Sequence, residues 1–316
     1  MKLFAALLSA CLAAQALAQG NSQFGKSQGN SNSNSNKPQD PELDQEFTFT
    51  VEATFKGKKI PQNEIKITKI PPGKEANPGR KLGHEKNGKA DTSGLAARGI
   101  TPKNPTSVSA NWCGSVKRAT TANQIKLIHA YFQHPTCTKR SGQTYPQAAA
   151  QWAGIDGDSW GAALLQSGTV CKFDNATATV RNEAWWQWLP SGSFTINSLP
   201  VAPGDWFEVT IDTTTNRAGK ITLSNISKGY AYTITISGGA TLGRLDADWV
   251  VERPYYGSGL AGMPKFSDVW FQSAYATRVN GNLKEQIGIM GATQLQIPNL
   301  CASAEYDNDK EVSWSL

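Results

Sequence analysis

Two polar side chains stand out by where they sit. Gln166 follows the apolar run Ala162–Leu165, and Glu252 closes the apolar run Trp249–Val251 within LDADWVVERP. An amide or a carboxylate that arrives from an apolar wall needs hydrogen-bond partners or a task. Gln166 belongs to QWAGIDGDSWGAALLQSG, residues 151–168, which reads as two short strands joined by a Gly/Asp turn, the second ending at Gln166. Gly154, Gly157 and Gly161 supply the backbone freedom such a turn demands. AWWQWLP, residues 184–190, adds Trp185, Trp186 and Trp188, a density typical of a core or a groove wall. Amide, carboxylate and aromatic faces together suit hydrogen-bonded recognition or proton transfer. Taken singly, each has a plainer reading: an amide satisfied by loop backbone, a solvated strand-end Glu, a core Trp.

Other chemistries are poorly supported. Beyond the first hundred or so residues only His129 and His134 remain, with no HExxH and no paired CxxC, so zinc and other resident metals are not expected. No G-x-S-x-G elbow supports a serine hydrolase, and both histidines, in HAYFQHP, read as structural. Phosphate-cradling glycine loops are missing. Asp91-Thr92-Ser93-Gly94 is a lone aspartic-protease-like tetrad outside the main domain. No cofactor is expected.

The elements that must hold Gln166 and Glu252 are strands. From about Thr106, short runs recur every 8–12 residues between turn signals, for example Gln124–Phe132, Gln151–Gly154, Ala162–Gln166, Trp206–Asp212 and Asp248–Glu252. None makes a convincing amphipathic helix. The pattern predicts an all-β fold, an antiparallel β-sandwich of the jelly-roll, concanavalin-like kind over residues 106–316, with Val250 and Glu252 on one face of their strand and Trp249 and Val251 on the other.

What precedes is different in kind. MKLFAALLSACLAAQALA, residues 1–18, reads as a cleaved secretory signal, too short to span a membrane. Residues 19–44 are Asn/Ser/Gln/Gly-rich and predicted disordered. Residues 46–69 alternate apolar and polar and predict a small β unit of their own, followed by a Gly/Pro/Lys linker over 71–105. The net charge of +6 does not mark a nucleic-acid binder: residues 19–103 carry 14 Lys/Arg against 9 Asp/Glu, whereas 104–316 carry 16 of each. Neither nucleic acid nor membrane is expected as a partner. Domain order and export predict a zymogen whose propeptide, residues 19–105, is cut within Leu95–Pro105. With Cys11 in the signal, Cys113, Cys137, Cys171 and Cys301 predict two disulfides; Cys113–Cys137 and Cys171–Cys301 are favoured, the first as a hairpin pair. Asn175 and Asn225 open N-x-S/T glycosylation sequons.

The main domain resembles the glutamic peptidases, or eqolisins, a family of secreted acid endopeptidases made with a basic propeptide. The resemblance rests on Asn111-Trp112-Cys113-Gly114, Trp152-Ala153-Gly154-Ile155-Asp156-Gly157, Leu165-Gln166-Ser167-Gly168, Trp185-Trp186-Gln187-Trp188 before Pro190, Pro203-Gly204-Asp205 and Ala247–Pro254, in family order over roughly residues 107–275. It implies a catalytic pair, Gln166 and Glu252. The carboxylate takes a proton from the attacking water and returns it to the leaving amine, while the amide donates to the oxyanion at any acidic pH. It further implies Trp152 and Asp156 beside the pair, and a groove in which Trp152, Trp186 and Trp188 hold an extended peptide. The implied partners are protein or peptide substrates and the chain's own propeptide as inhibitor, in a monomer. Lys56, Lys58, Lys59, Lys66 and Lys69 are expected over the carboxylate-bearing groove. The chain departs from the family at Gln187, where Glu is common, which removes a negative neighbour. Two other readings of the same residues are a lectin-like sandwich that stacks sugars on the Trp-rich face and a glycosidase; the amide–carboxylate pair fits the latter poorly.

Overall fold

Strands dominate because the main domain is built from short β-branched and aromatic runs punctuated by Gly, Pro and Asn. A computed structural model describes residues 47–71, 103–257, 259–280 and 283–316. All belong to one unit, residues 41–316. The expected signal, the low-complexity stretch and most of the linker lie outside the described residues. Among the described residues there is a single short 3₁₀ turn, Gln62–Glu64, and the rest of the regular structure is β.

Two large sheets form the sandwich. The first runs through Ile67–Ile70, Ser193–Ile196, Arg181–Leu189, Leu164–Phe173, Gln147–Ile155, Asp246–Glu252, Trp112–Arg118, Thr293–Gln296 and Thr106–Val108 as nine neighbours. All are antiparallel except the last pair, which is parallel. The second is ten-stranded, with Thr48–Phe55, Tyr230–Ser237, Ala218–Asn225, Trp206–Thr215, Ile125–Gln133 and Val269–Asn280 in succession. Trp206–Thr215 alternates buried and half-buried residues as expected for a strand with one face on the core. Gln147–Ile155, Leu164–Phe173 and Asp246–Glu252 are instead buried at every position, so both faces of the first sheet's centre are covered. Gln166 is therefore the third residue of a ten-residue strand and not its last, whereas Glu252 does end its strand.

The core between the sheets takes Trp186, Trp188 and Trp249 from the first sheet with Phe132, Phe207, Phe271, Ile211 and Ile221 from the second. A separate apolar cluster lies on the other face of the first sheet: Trp112, Trp152, Leu164, Trp185, Leu189 and Val250 among others. The disulfides are Cys113–Cys301 and Cys137–Cys171, with Cα separations of 6.1 and 6.4 Å, so the favoured pairing is overturned. Cys113 has no hairpin relation to Cys137, because its strand pairs with Asp246–Glu252 and Thr293–Gln296. Its bond ties the first sheet to the second, where Cys301 begins the strand Cys301–Asp307.

The N-terminal strands do not form a unit of their own. Thr48–Phe55 pairs along its whole length with Tyr230–Ser237 in the second sheet, and Ile67–Ile70 pairs with Ser193–Ile196 in the first. Phe47 and Phe49 then cover Trp186 and Phe194, with Phe49 meeting each ring edge-on at 5.0 Å. Lys58 and Lys59 sit on the second sheet with Thr54 and Phe55, and Lys59 pairs with Glu52 at 3.7 Å. They do not overlie the face that carries Gln166 and Glu252.

Candidate functional site

Register brings the site together. On the first sheet Gln166 lies opposite Gly154 on one side and Gln187 on the other, while Trp152 lies opposite Gly168 and Val250. Glu252 lies opposite Ala150 and Trp112. These side chains share the face turned away from the second sheet. Their alternate neighbours point the other way: Trp249 Nε1 donates to the His129 carbonyl at 3.1 Å and Trp188 Nε1 to the Ala240 carbonyl at 3.0 Å. Asp248 shares the row of Gly154 and Gln166, so Glu252 stands four residues further along than Gln166. That offset is roughly 13 Å of strand, and Trp152 is at its midpoint.

Trp152 connects the two ends. Its indole Nε1 donates to Glu252 Oε2 at 2.9 Å, and Asn111 Nδ2 donates to Glu252 Oε1 at 3.3 Å. The indole is braced edge-on by Trp112 at 5.0 Å. One glycine makes room for it, and a second lets the neighbouring backbones approach. A Cβ on Gly154 would lie 2.8 Å from the Trp152 ring and 3.2 Å from Gln166 Cβ, and one on Gly168 would strike the Gln151 carbonyl. Gln166 Nε2 donates to Gln187 Oε1 at 3.1 Å, and Gln187 Nε2 donates to the Ser191 carbonyl at 2.9 Å. The Ser191 contact sets which way the Gln187 amide faces, and that in turn orients Gln166. Gln166, Glu252, Trp152 and Gln187 all have 0 % exposure.

Three other expected site residues take different places. Trp186 and Trp188 lie in the core between the sheets, not on this face; strand alternation turns Trp185 toward the site instead. Asp156 adopts φ +73° at the end of its strand and gives both oxygens to backbone, accepting from the N–H of Arg244 at 2.9 Å and Leu245 at 2.7 Å. Burial pushes its carboxyl up to about 7. It holds the approach to the Glu252 strand. Asp246 does likewise for the turn after Asp156, accepting from the N–H of Asp158, Ser159 and Trp160. Asp248, on the site face, is fully buried, and burial first and the charges of Asp246, Asp158 and Asp156 next push its carboxyl well up. Asn225 is not available to a glycan: it is fully buried, and its amide donates to the Pro200 carbonyl and Asp205. Asn175 is exposed. Both histidines are held structurally. His134 lies between Thr169 and Asn182, with its pKa lowered to about 4 by burial, and His129 contacts the Ser273 carbonyl and Glu208. Among the described residues no group of three or more His, Cys, Asp or Glu is arranged to hold a metal. Asn111 and Trp112 are site residues that reading by residue type passes over; the Asn-Trp doublet at the domain start is the signal that marks them.

A family model, the Peptidase A4 family, matches residues 110–316. The chain belongs to the Peptidase A4 family. The match includes Glu305–Leu316, which belongs to strands of the second sheet. Among relatives, Aspergillopepsin-2 of Aspergillus niger is 33% identical over 142 residues, 44% of this chain and 49% of that protein. Scytalidopepsin B of Scytalidium lignicola is 26% identical over 168 residues, 52% of this chain and 60% of that protein. The chain thus spans between about half and three fifths of the length of these relatives. A crystal structure of scytalido-glutamic peptidase with a peptide-based transition state analog aligns with a TM-score of 0.54 at 22% identity, over 66% of this chain and 98% of that one. This likeness establishes a shared sandwich fold for the Peptidase A4 domain.

Proposed function

We propose that the chain is a secreted acid endopeptidase, made as a zymogen, that hydrolyses peptide bonds with Glu252 as general base and Gln166 as oxyanion donor. The observation that carries this reading is the shared face of Gln166 and Glu252, with Trp152 reaching from between them to the carboxylate, in a chain of a peptidase family. Glu252, positioned by the N–H donors of Trp152 and Asn111, takes a proton from water as it attacks the scissile carbonyl and delivers it to the leaving nitrogen. Gln166 donates N–H to the developing oxyanion and does not titrate in acid. An amide nitrogen carries two hydrogens, so holding Gln187 is compatible with that donation. Trp152, Trp112 and Trp185 form the apolar floor for an extended peptide.

Two features support latency. The pair has no solvent exposure in a chain that carries its N-terminal strands, and one of those strands, Ile67–Ile70, extends the sheet that bears the pair. The two disulfides suit an oxidising, extracellular setting. The test is digestion of a denatured protein between about pH 2 and 6 by processed chain, with the products sequenced. Glu252→Gln should abolish cleavage, and Gln166→Ala should lower it about 10²–10³-fold. Undiminished cleavage by Glu252→Gln would overturn the assignment.

A further inference from the structure

The end of the linker meets the last hairpin of the main domain in a buried acidic corner. Glu305 and Glu311 lie directly opposite each other across the strands Cys301–Asp307 and Lys310–Ser315. Like charges in that relation repel, and here both are out of water, with Glu305 at 3% exposure and Glu311 at 0%. Glu305 Oε1 accepts the backbone N–H of Lys103 and, at 2.6 Å, that of Asn104. Ser115 Oγ donates to Glu311 Oε2. Glu305 Oε2 and Glu311 Oε1 have no hydrogen-bond partner among the described residues. Burial first, with a contribution from the Glu305 charge, pushes the Glu311 carboxyl up to about 8. Among the described residues neither carboxylate has a cation in ion-pair contact.

Asn104 is fastened there independently of what precedes it. Its Nδ2 donates to the Ile289 carbonyl at 3.0 Å and its Oδ1 accepts from the Gly291 N–H at 2.6 Å, and it is 6% exposed. Lys103 is exposed. The Lys103–Asn104 bond is therefore where the chain passes from the surface into the corner.

We propose that the mature chain begins at Asn104 and that its α-ammonium is the counter-ion of the Glu305–Glu311 pair. Water adds across the Lys103–Asn104 peptide bond: Lys103 keeps the new carboxylate, and the Asn104 nitrogen gains hydrogen and a further proton. A neutral N–H already on Glu305 becomes a cation with three donors, and charge-assisted hydrogen bonds are roughly twice as strong as neutral ones. Maturation thus exchanges two backbone hydrogen bonds, from Lys103 and Asn104, for an ion pair at this corner. The proposal rests on the zymogen reading, and its test separates the two.

Full-length chain is incubated in acid and the product's N-terminus sequenced. In parallel, full-length Glu252→Gln is cut with an added lysine-specific endopeptidase, which needs no activity of the chain itself. Labelling of the new α-amine by an acylating reagent at neutral pH is followed by mass spectrometry, with and without Glu305→Gln. A start at Asn104, and an amine labelled at least about tenfold more slowly when Glu305 is present, are the expected results; Glu311→Gln provides the same comparison should Glu305→Gln fail to fold. A self-processed chain that starts elsewhere, or an Asn104 amine labelled equally fast with and without the carboxylates, overturns the proposal. Failure to self-process alone counts against the peptidase reading, and the added-protease arm still decides the ion pair.

Discussion

In the unprocessed chain, Glu311→Gln should remove much of the penalty that rising pH imposes on stability. Burial is the main cause that carries the Glu311 carboxyl from 4.5 to about 8 in the folded state. Below pH 4.5 the folded and unfolded chains are both protonated there, and the full stability is present. As the pH rises toward 8, the unfolded chain releases a proton that the folded chain keeps, and stability falls by about 1.4 kcal/mol per pH unit. Across that window the upper bound is about 5 kcal/mol. Glutamine has the same shape, can keep the Ser115 contact and has no proton to release. Guanidinium unfolding followed by tryptophan fluorescence at pH 4, 5.5 and 7, in a Glu252→Gln background to prevent self-digestion, measures the difference. The substitution should be within about 1 kcal/mol of its parent at pH 4 and more stable than it at pH 7. Some slope should survive, because Asp156 and Asp248 are also raised. If both proteins lose stability in parallel from pH 4 to 7, the carboxyl is not buried in the manner described.

Trp152→Phe keeps a ring against Trp112 but deletes the N–H on Glu252. Hydrogen bonds to charged groups are worth about 1.5–3 kcal/mol, so kcat/KM should fall roughly 10–100-fold with an unchanged circular-dichroism spectrum; unchanged kinetics would remove Trp152 from the site. Gln187→Glu places a carboxyl beside the Ser191 carbonyl, where only its protonated form can donate. Its folded pKa should be raised, so the variant should match the parent near pH 3 and lose both stability and activity as the pH rises. Parallel pH–activity profiles would show that Gln187 does not orient Gln166.

Alternation made part of this molecule readable in advance. The split of Val250 and Glu252 from Trp249 and Val251 follows from period two alone, and so does the sandwich. Period two cannot decide which face of a strand looks inward when both faces are apolar. That is why the expected groove position of Trp186 does not hold: Trp185 and Trp186 alternate by construction, and only Phe49 and Phe194, distant in sequence, show that Trp186 belongs to the core. The favoured disulfide pairing fails for a similar reason. Cys113 and Cys301 are 188 residues apart, and only the seating of one sheet on the other brings them together. The N-terminal strands carry the right pattern for β structure, but pattern does not name a partner, and theirs lie in two different sheets. Gln187 illustrates the same limit at the site: its residue type suggested a missing charge near a carboxylate, whereas its contact is with the amide of Gln166.

The pairing of Thr48–Phe55 with Tyr230–Ser237 also sets an order of events during synthesis. Thr48 and the Ser237 carbonyl it contacts are 189 residues apart, so at about 5–20 residues per second the earlier strand waits roughly 10–40 s for its partner to leave the ribosome. Through that interval Phe47 and Phe49 have no Trp186–Phe194 surface to cover for most of the wait, and the strand is an unpaired edge of the kind that recruits other chains. The first of the described strands to be made is thus among the last to be seated. The late arrival of Tyr230–Ser237, and not any weakness in the N-terminal strand, then governs how long the nascent chain is exposed to mispairing.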